Sequence, residues 1–329
     1  MFQTRITELF NIKYPIICGG MFWISRAELV AAVANAGGIG FMTASTFESL
    51  DDLRAEIRKA RDLTDGPIGI NINLFPALRP QPIEAWVEIA CEEKIPVVET
   101  SGRSPDAIVE PLHAGGVKIM HKVPGVKYAR TVERLNCDAV AVVGHECGGH
   151  PGMDEVSTLV LVPAAVDAVD IPVVAGGGFA DGRGLAAALA LGADAVLMGT
   201  RFMATKECRG HAAWKEWLVN ASETDTTYLM KSIKNPSRVV KNTVAARVLE
   251  MERRGATLEE LLPVIAGQGG AVFDDGKIDS QLASAGQAIG LIHDVPTVKE
   301  LIDRIVEEAD QVRERLNAAF AGATTTARS

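Results

Sequence analysis

The sequence predicts an α/β fold, a (β/α)8 barrel that carries a C-terminal helical insertion or cap. Three observations predict it. Eight short apolar runs lie between Pro15 and Phe202, bounded by glycine or proline. Segments of helical period separate them at a spacing of roughly 20–35 residues. Several runs end in glycine-rich loops, foremost GHECGGHPG at Gly144–Gly152. Eight such units favour a closed barrel over an open doubly wound sheet. The GxGxxG fingerprint of dinucleotide-binding sheets is missing after the first run, where Ile17–Trp23 reads ICGGMFW.

The strands are read in order at Ile16–Cys18, Gly40–Met42, Ile68–Ile72, Val97–Val98, Val117–Met120, Ala139–Val143, Val173–Val174 and Ala195–Met198. Short β-branched runs of this kind are buried on both faces of a parallel sheet. Ser25–Gly38 predicts a helix that opens on a serine cap and closes on glycine. Ser49–Leu63 predicts a second, with Leu50, Leu53, Ile57 and Ala60 on one face. Beyond Phe202 the chain is charged and helical in period, with no strand alternation. Residues 211–277 are therefore assigned to a helical insertion, and residues 1–210 and 278–329 to the barrel. Ala271–Ser280 reads as loop, and Gln281–Phe320 as helices returning to the barrel. The tail AGATTTARS predicts no ordered element.

Composition excludes several classes. Hydrophobic residues make up 47% and charged residues 23%, which is ordinary for a globular protein. A net charge of −9 argues against nucleic acid or an anionic membrane as general partner, while leaving room for a local basic pocket. Five cysteines without a CxxC pair fit a reducing compartment. Met1–Phe10 has no apolar signal-peptide run, and no stretch of about 18 uncharged apolar residues occurs. A cytoplasmic location is the expectation.

In such a barrel, chemistry sits at the carboxyl ends of the strands. Those positions are Gly19–Met21, Thr43–Ser45, Asn71, Asn73, Glu99–Thr100, His121–Lys122, His145–His150, Gly176–Gly178 and Gly199–Thr200. They hold no carboxylate pair of glycosidase type and no Ser/His/Asp relay. Small polar groups and bare backbone suit a large planar cofactor that bears a phosphate. Gly176, Gly177, Gly178, Gly199 and Thr200 follow the seventh and eighth strands, where free N–H groups form an anion site. The alternative for these glycines is a tight strand–helix turn. Lys122 is placed to set positive charge beside an electron-accepting ring, or else to lie along the surface. Asn71 is placed to bond ring heteroatoms, or to form a turn.

His150 has the roles of general acid/base or of donor to an oxyanion. His145, Cys147 and His150 match no zinc spacing, so no metal is expected. The proline-dense Asn73–Pro82 reads as a stiff gate or shelf, with Arg79 available to a phosphate, or as a plain connection. Met21, Phe22 and Trp23 form an apolar wall or belong to the core.

Five stretches together resemble the nitronate monooxygenase family. They are GGM (Gly19–Met21), AGGIG (Ala36–Gly40), GHECGGHPG, AGGGFADGRGLAAALALGADAVLMGTRF (Ala175–Phe202) and SAGQAIGLI (Ser284–Ile292). These are FMN-dependent TIM-barrel enzymes, formerly called 2-nitropropane dioxygenases. The likeness is greatest to the bacterial branch of NADH:quinone reductases. The resemblance implies that Gly20, Met21, Asn71 and Lys122 lie along the isoalloxazine. It implies that Gly149, Gly176, Gly177, Gly178, Gly199 and Thr200 hold ribityl and phosphate, and that Ser284 and Gln287 close the far side. His150 matches the active-site histidine. Pro76, Arg79 and Pro80 would contact the nicotinamide dinucleotide, and Met21, His145 and His150 would face the substrate. His145 departs from the quinone-reductase branch and adds a titratable group.

The implied activity is NAD(P)H:quinone reduction through FMN. Oxidation of alkyl nitronates with O2 and reduction of an enoyl thioester are the alternatives. A flavin- or phosphate-binding protein without turnover is a different class. The insertion offers a surface for a homodimer.

Overall fold

The computed structural model describes residues 2–75, 81–266 and 271–323. Eight parallel strands close into a barrel in chain order. They are β1 (Ile16–Cys18), β2 (Ile39–Thr43), β3 (Ile68–Asn73), β4 (Val97–Ser101), β5 (Lys118–Val123), β6 (Ala139–Val143), β7 (Val173–Gly176) and β8 (Ala195–Met198). Closure is made where Ile17 of β1 pairs with Leu197 of β8. The expected barrel is therefore present, and several strands run one to three residues beyond their apolar cores. His121 and Lys122 lie inside β5 rather than after it.

Alternation along each strand sorts two cores. In β6, Ala139 and Ala141 point inward, while Val140 and Val142 pack outward on the helices. Inward positions also hold Ile17, Phe41, Val97, Met120, Val174 and Leu197. Ile6 and Phe10 from the helix Arg5–Phe10 join them and plug the amino-terminal end of the barrel. Arg5 fixes that plug by donating to Asp194, at 2.7 Å from Nη2 to Oδ2.

His121 is enclosed in this framework at 3% exposure, with Nδ1 2.7 Å from the Thr100 hydroxyl. Burial, aided by Lys122, pushes its pKa down to about 4. In the unfolded chain an imidazole titrates near 6.5. His121 therefore contributes stability above about pH 6.5 that is lost as pH falls toward about 4, on the order of 3 kcal/mol. Thermal unfolding measured between pH 7 and 4 is expected to show this loss, and His121→Gln is expected to flatten it.

Two helix readings change. Ser25 does not cap a helix: Arg26 holds the cap position of Ala27–Asn35 without a side-chain bond. The Ser25 hydroxyl instead accepts from Met21 N at 2.9 Å and donates to Gly19 O at 3.4 Å, pinning the turn after β1. In the helix Leu50–Leu63, Leu53, Ile57 and Ala60 are buried, whereas Leu50, in the first turn, lies out in solvent. Ser49 caps that helix as expected, accepting from Asp52 N.

The segment after the barrel also differs from the reading of helices alone. Between the helices Ala212–Asn220 and Thr243–Arg253 lies an antiparallel ribbon, β9 (Thr226–Leu229) and β10 (Ser237–Val240). Leu229, Met230, Val239, Ala245, Val248 and Leu261 give this region a small core of its own. Trp214 and Leu218 of the preceding helix pack into the main core instead. Ala271–Ser280 is not plain loop: it holds a short helix, Ala271–Asp275, and a 3-10 turn, Ile278–Ser280. The long helix Val298–Ala323 returns to the barrel, as expected, and packs on Gly182–Ala190. Among the described residues, no helix is long and apolar enough to cross a membrane.

Candidate active site

The carboxyl ends of the strands surround an open cavity of about 1140 Å3. At one end sits a polar cluster built by strand register. Asn71 of β3 pairs with Glu99 of β4. Lys122 stands two residues beyond Met120, the β5 partner of Glu99, so it lies on the same face. Glu99 is fully buried, and three donors meet its carboxylate. Its Oε2 accepts from Gly20 N at 3.0 Å and Asn71 Nδ2 at 2.7 Å, and its Oε1 accepts from Lys122 Nζ at 3.2 Å. Gly20 must be glycine, because a Cβ there would lie 2.4 Å from Asn71 Cβ. Thr43 Oγ1 is buried at this end with no hydrogen-bond partner among the described residues. Met21 adds an apolar surface to the cavity, and Phe22 stands out at its rim.

Opposite lies a glycine cradle. Gly177 and Gly178 follow β7 with φ of +96° and +84°, which glycine adopts freely. Both line the cavity, as do Gly149, Gly199, Thr200 and Ser284. Gly176 does not: it ends β7 within the sheet, its carbonyl accepts from Gly144 N, and a Cβ there would press on Val143. Gln287 also stands outside the cavity wall, with its N–H bonded to Glu146 O at 2.9 Å. Thr200 has a second task, since its hydroxyl accepts from Gly286 N at 2.9 Å and ties the Ser284 loop to the end of β8.

The loop after β6 divides its labour. The Glu146 carboxylate accepts from Thr158 N and Oγ1, which caps the helix Thr158–Val166. Burial pushes the Cys147 thiol up to about 12, so it is no nucleophile. His150 projects into the cavity and packs on Phe75, with ring centroids 4.8 Å apart. Water reaches the ring through the open mouth, although protein surrounds it closely. That enclosure, with the Lys122 charge, lowers its pKa from the usual imidazole value. Among the described residues, no group of His, Cys, Asp or Glu is arranged to hold a metal ion.

His145 departs from its expected place facing the substrate. It turns away from the cavity toward Arg238, whose Nη2 lies 3.1 Å from its Nε2, and toward the Tyr228 ring. Arg238 is buried, and it also donates to His145 O and Thr226 Oγ1. Its backbone exchanges two hydrogen bonds with Gly149, at 3.0 and 2.7 Å, and Val240 N donates to Ala283 O. Strand β10 thus straps the His150 loop and the Ser284 loop together. Arg238 was not legible as a site residue, because it acts through backbone pairing across the fold. Pro76, Arg79 and Pro80, expected to contact a dinucleotide, lie outside the described residues.

A closed barrel with bare backbone at two adjacent strand tips and a histidine over the mouth defines a cofactor-binding (β/α)8 enzyme. Within that class the chain belongs to the nitronate monooxygenase family, whose model matches residues 3–308, and it is an oxidoreductase. It is 33% identical to the (3aS,4S,5R,7aS)-5-hydroxy-7a-methyl-1-oxo-octahydro-1H-indene-4-carboxyl-CoA dehydrogenase of Rhodococcus jostii, over 93% of this chain and 96% of that one. A probable nitronate monooxygenase of Staphylococcus saprophyticus is 32% identical, over 76% of this chain and 82% of its own. Among solved structures, FabK from Thermotoga maritima superposes with a TM-score of 0.90 and 38% identity, covering 97% of this chain and all of that one.

Proposed function

We propose that the chain is an FMN-dependent oxidoreductase whose substrate is a phosphate-bearing acyl thioester such as an acyl-CoA, with NAD(P)H as its reductant. The observation that carries the substrate class is the cavity rim. Arg103, Lys127 and Lys234 all line the mouth, and none of them joins an ion pair among the described residues. Three cations without a carboxylate partner among the described residues, one of them (Lys127) resting over the Tyr128 ring at 4.7 Å, suit a phosphate tail in a chain of net charge −9. A quinone has no anion to place there, and the single charge of a small nitronate sits on the reacting group itself, not on a tail that reaches the rim. The dehydrogenase named for a carboxyl-CoA agrees with this reading.

The residues present fit FMN. Gly177, Gly178, Gly199 and Gly149 leave room for a phosphoryl group and ribityl chain, and the unpartnered Thr43 hydroxyl awaits a bond at the polar end. Gly20, Asn71 and Lys122 would face ring heteroatoms, with Met21 as an apolar wall. When bound, FMN supplies hydride exchange. His150, whose pKa is lowered by the surrounding protein and the Lys122 charge, would donate a ring N–H to the thioester carbonyl oxygen and stabilise the charge developing there. Neighbouring Phe75 helps hold the imidazole in place.

Anaerobic mixing of the yellow protein with NADH or NADPH, followed by crotonyl-CoA, menadione or propyl-2-nitronate, tests the proposal. Turnover of the thioester is expected. In the double reversal Arg103→Glu, Lys127→Glu, KM for crotonyl-CoA should rise about tenfold, equivalent to about 1.4 kcal/mol. KM for menadione should stay within about twofold. Turnover of menadione alone would restore the quinone-reductase reading. Bleaching by the nitronate alone would restore nitronate oxidation.

A further inference from the structure

Glu99 is a fully buried carboxylate at the floor of the cavity, with Gly20 N, Asn71 Nδ2 and Lys122 Nζ as its partners. All three partners are donors, which matches an ionised, acceptor-only carboxylate. We infer that Glu99 is a positioning residue that tunes the bound flavin: it fixes Asn71 and Lys122 toward the ring and cancels the Lys122 charge. The inference rests on the flavin reading above.

The geometry argues it in two steps. Because Nδ2 of Asn71 is committed to Glu99, the amide orientation is set, and its Oδ1 is the acceptor left for the cavity. Lys122, at 22% side-chain exposure, reaches the cavity while held 3.2 Å from Glu99 Oε1. The pair therefore presents position without net charge to the ring. A lysine alone would favour the anionic reduced flavin, and the carboxylate behind it opposes that.

A carboxamide cannot replace this carboxylate. It has one oxygen for three donors, so in Glu99→Gln either Lys122 or the Gly20–Asn71 pair faces an N–H2 group. The test is the two-electron midpoint potential of the FMN-loaded protein. Glu99→Gln is expected to bind reduced over oxidised FMN about tenfold more favourably than wild type, a rise of about 30 mV. Lys122→Met is expected to shift the potential in the opposite direction. The double variant, again neutral, is expected to return near wild type. Flavin content and circular dichroism of each variant identify one that has failed to fold. Should Glu99→Gln not fold, the Lys122→Met and double variants still decide, since a double that keeps the full Lys122→Met shift overturns the inference. So does a Glu99→Gln potential equal to wild type. A wild-type chain that takes up no FMN fails the cofactor reading and the inference together.

Discussion

Replacing His150 with alanine is expected to cut turnover by about 10²- to 10³-fold, the usual loss when one oxyanion donor is removed, while FMN stays bound. The two effects separate because the histidine acts through its side chain, while the cradle, Gly149 included, is backbone that the substitution leaves in place. His150 projects from the loop after β6 and packs on Phe75. The cradle is backbone at the ends of β7 and β8, with Gly149 beside it. The strap that holds the loop pairs Gly149 with Arg238 through main-chain groups, which the substitution leaves in place. Steady-state kcat and the flavin-to-protein ratio check both halves. Loss of FMN from His150→Ala would show that the ring belongs to the cofactor site instead. A pH profile adds a second reading. The surrounding protein and the Lys122 charge lower the pKa of His150, so its titration should appear as an inflection on the acid side of the profile. The acid-side inflection is expected below the free imidazole value of about 6.5, and the His150 contribution to it should vanish in the alanine variant.

The barrel was legible because each strand carries its own signal: a β-branched run, a glycine or proline boundary and a helix of matching period. The polar floor was legible in its parts. Gly20, Asn71 and Lys122 come from separate strand ends, and each reads as a ligand-facing residue. The bond that unites them was not, because Glu99 looks like any strand-end acid until the β3–β4–β5 register sets it beside Asn71 and beneath Lys122. His145 misled for a related reason. Two histidines in one glycine loop read alike, and only the placement of Arg238 separates the one facing the cavity from the one facing the strap. The ribbon itself was hidden because β9 and β10 are four residues each, within a charged, helix-like stretch. Short strands in such company give no alternation to count. Ser25 shows the converse: a good cap sequence was overridden when the turn after β1 claimed the hydroxyl.

Gly199→Val is expected to weaken FMN binding by about 10²-fold, near 2.7 kcal/mol, with little change in Tm. Gly199 has φ −112°, so a side chain there meets no left-handed strain. Among the described residues, the only atoms near an added Cβ are Met21 Sδ at 3.5 Å and Cγ at 3.8 Å, ordinary contacts. The Cβ itself therefore meets no clash in the apoprotein, and the valine methyls beyond it are expected to occupy the space assigned to the phosphoryl group. Gly177→Ala is the contrasting variant. There φ is +96°, and a Cβ would stand 3.1 Å from Gly144 O and Thr158 Oγ1, so the fold itself should lose about 1–2 kcal/mol. Titration of apoprotein with FMN, beside a thermal melt of each variant, separates a glycine kept for ligand space from one kept for its backbone. Wild-type FMN affinity in Gly199→Val would mean that the phosphate lies elsewhere, and the assignment of the β7 and β8 tips would fall with it.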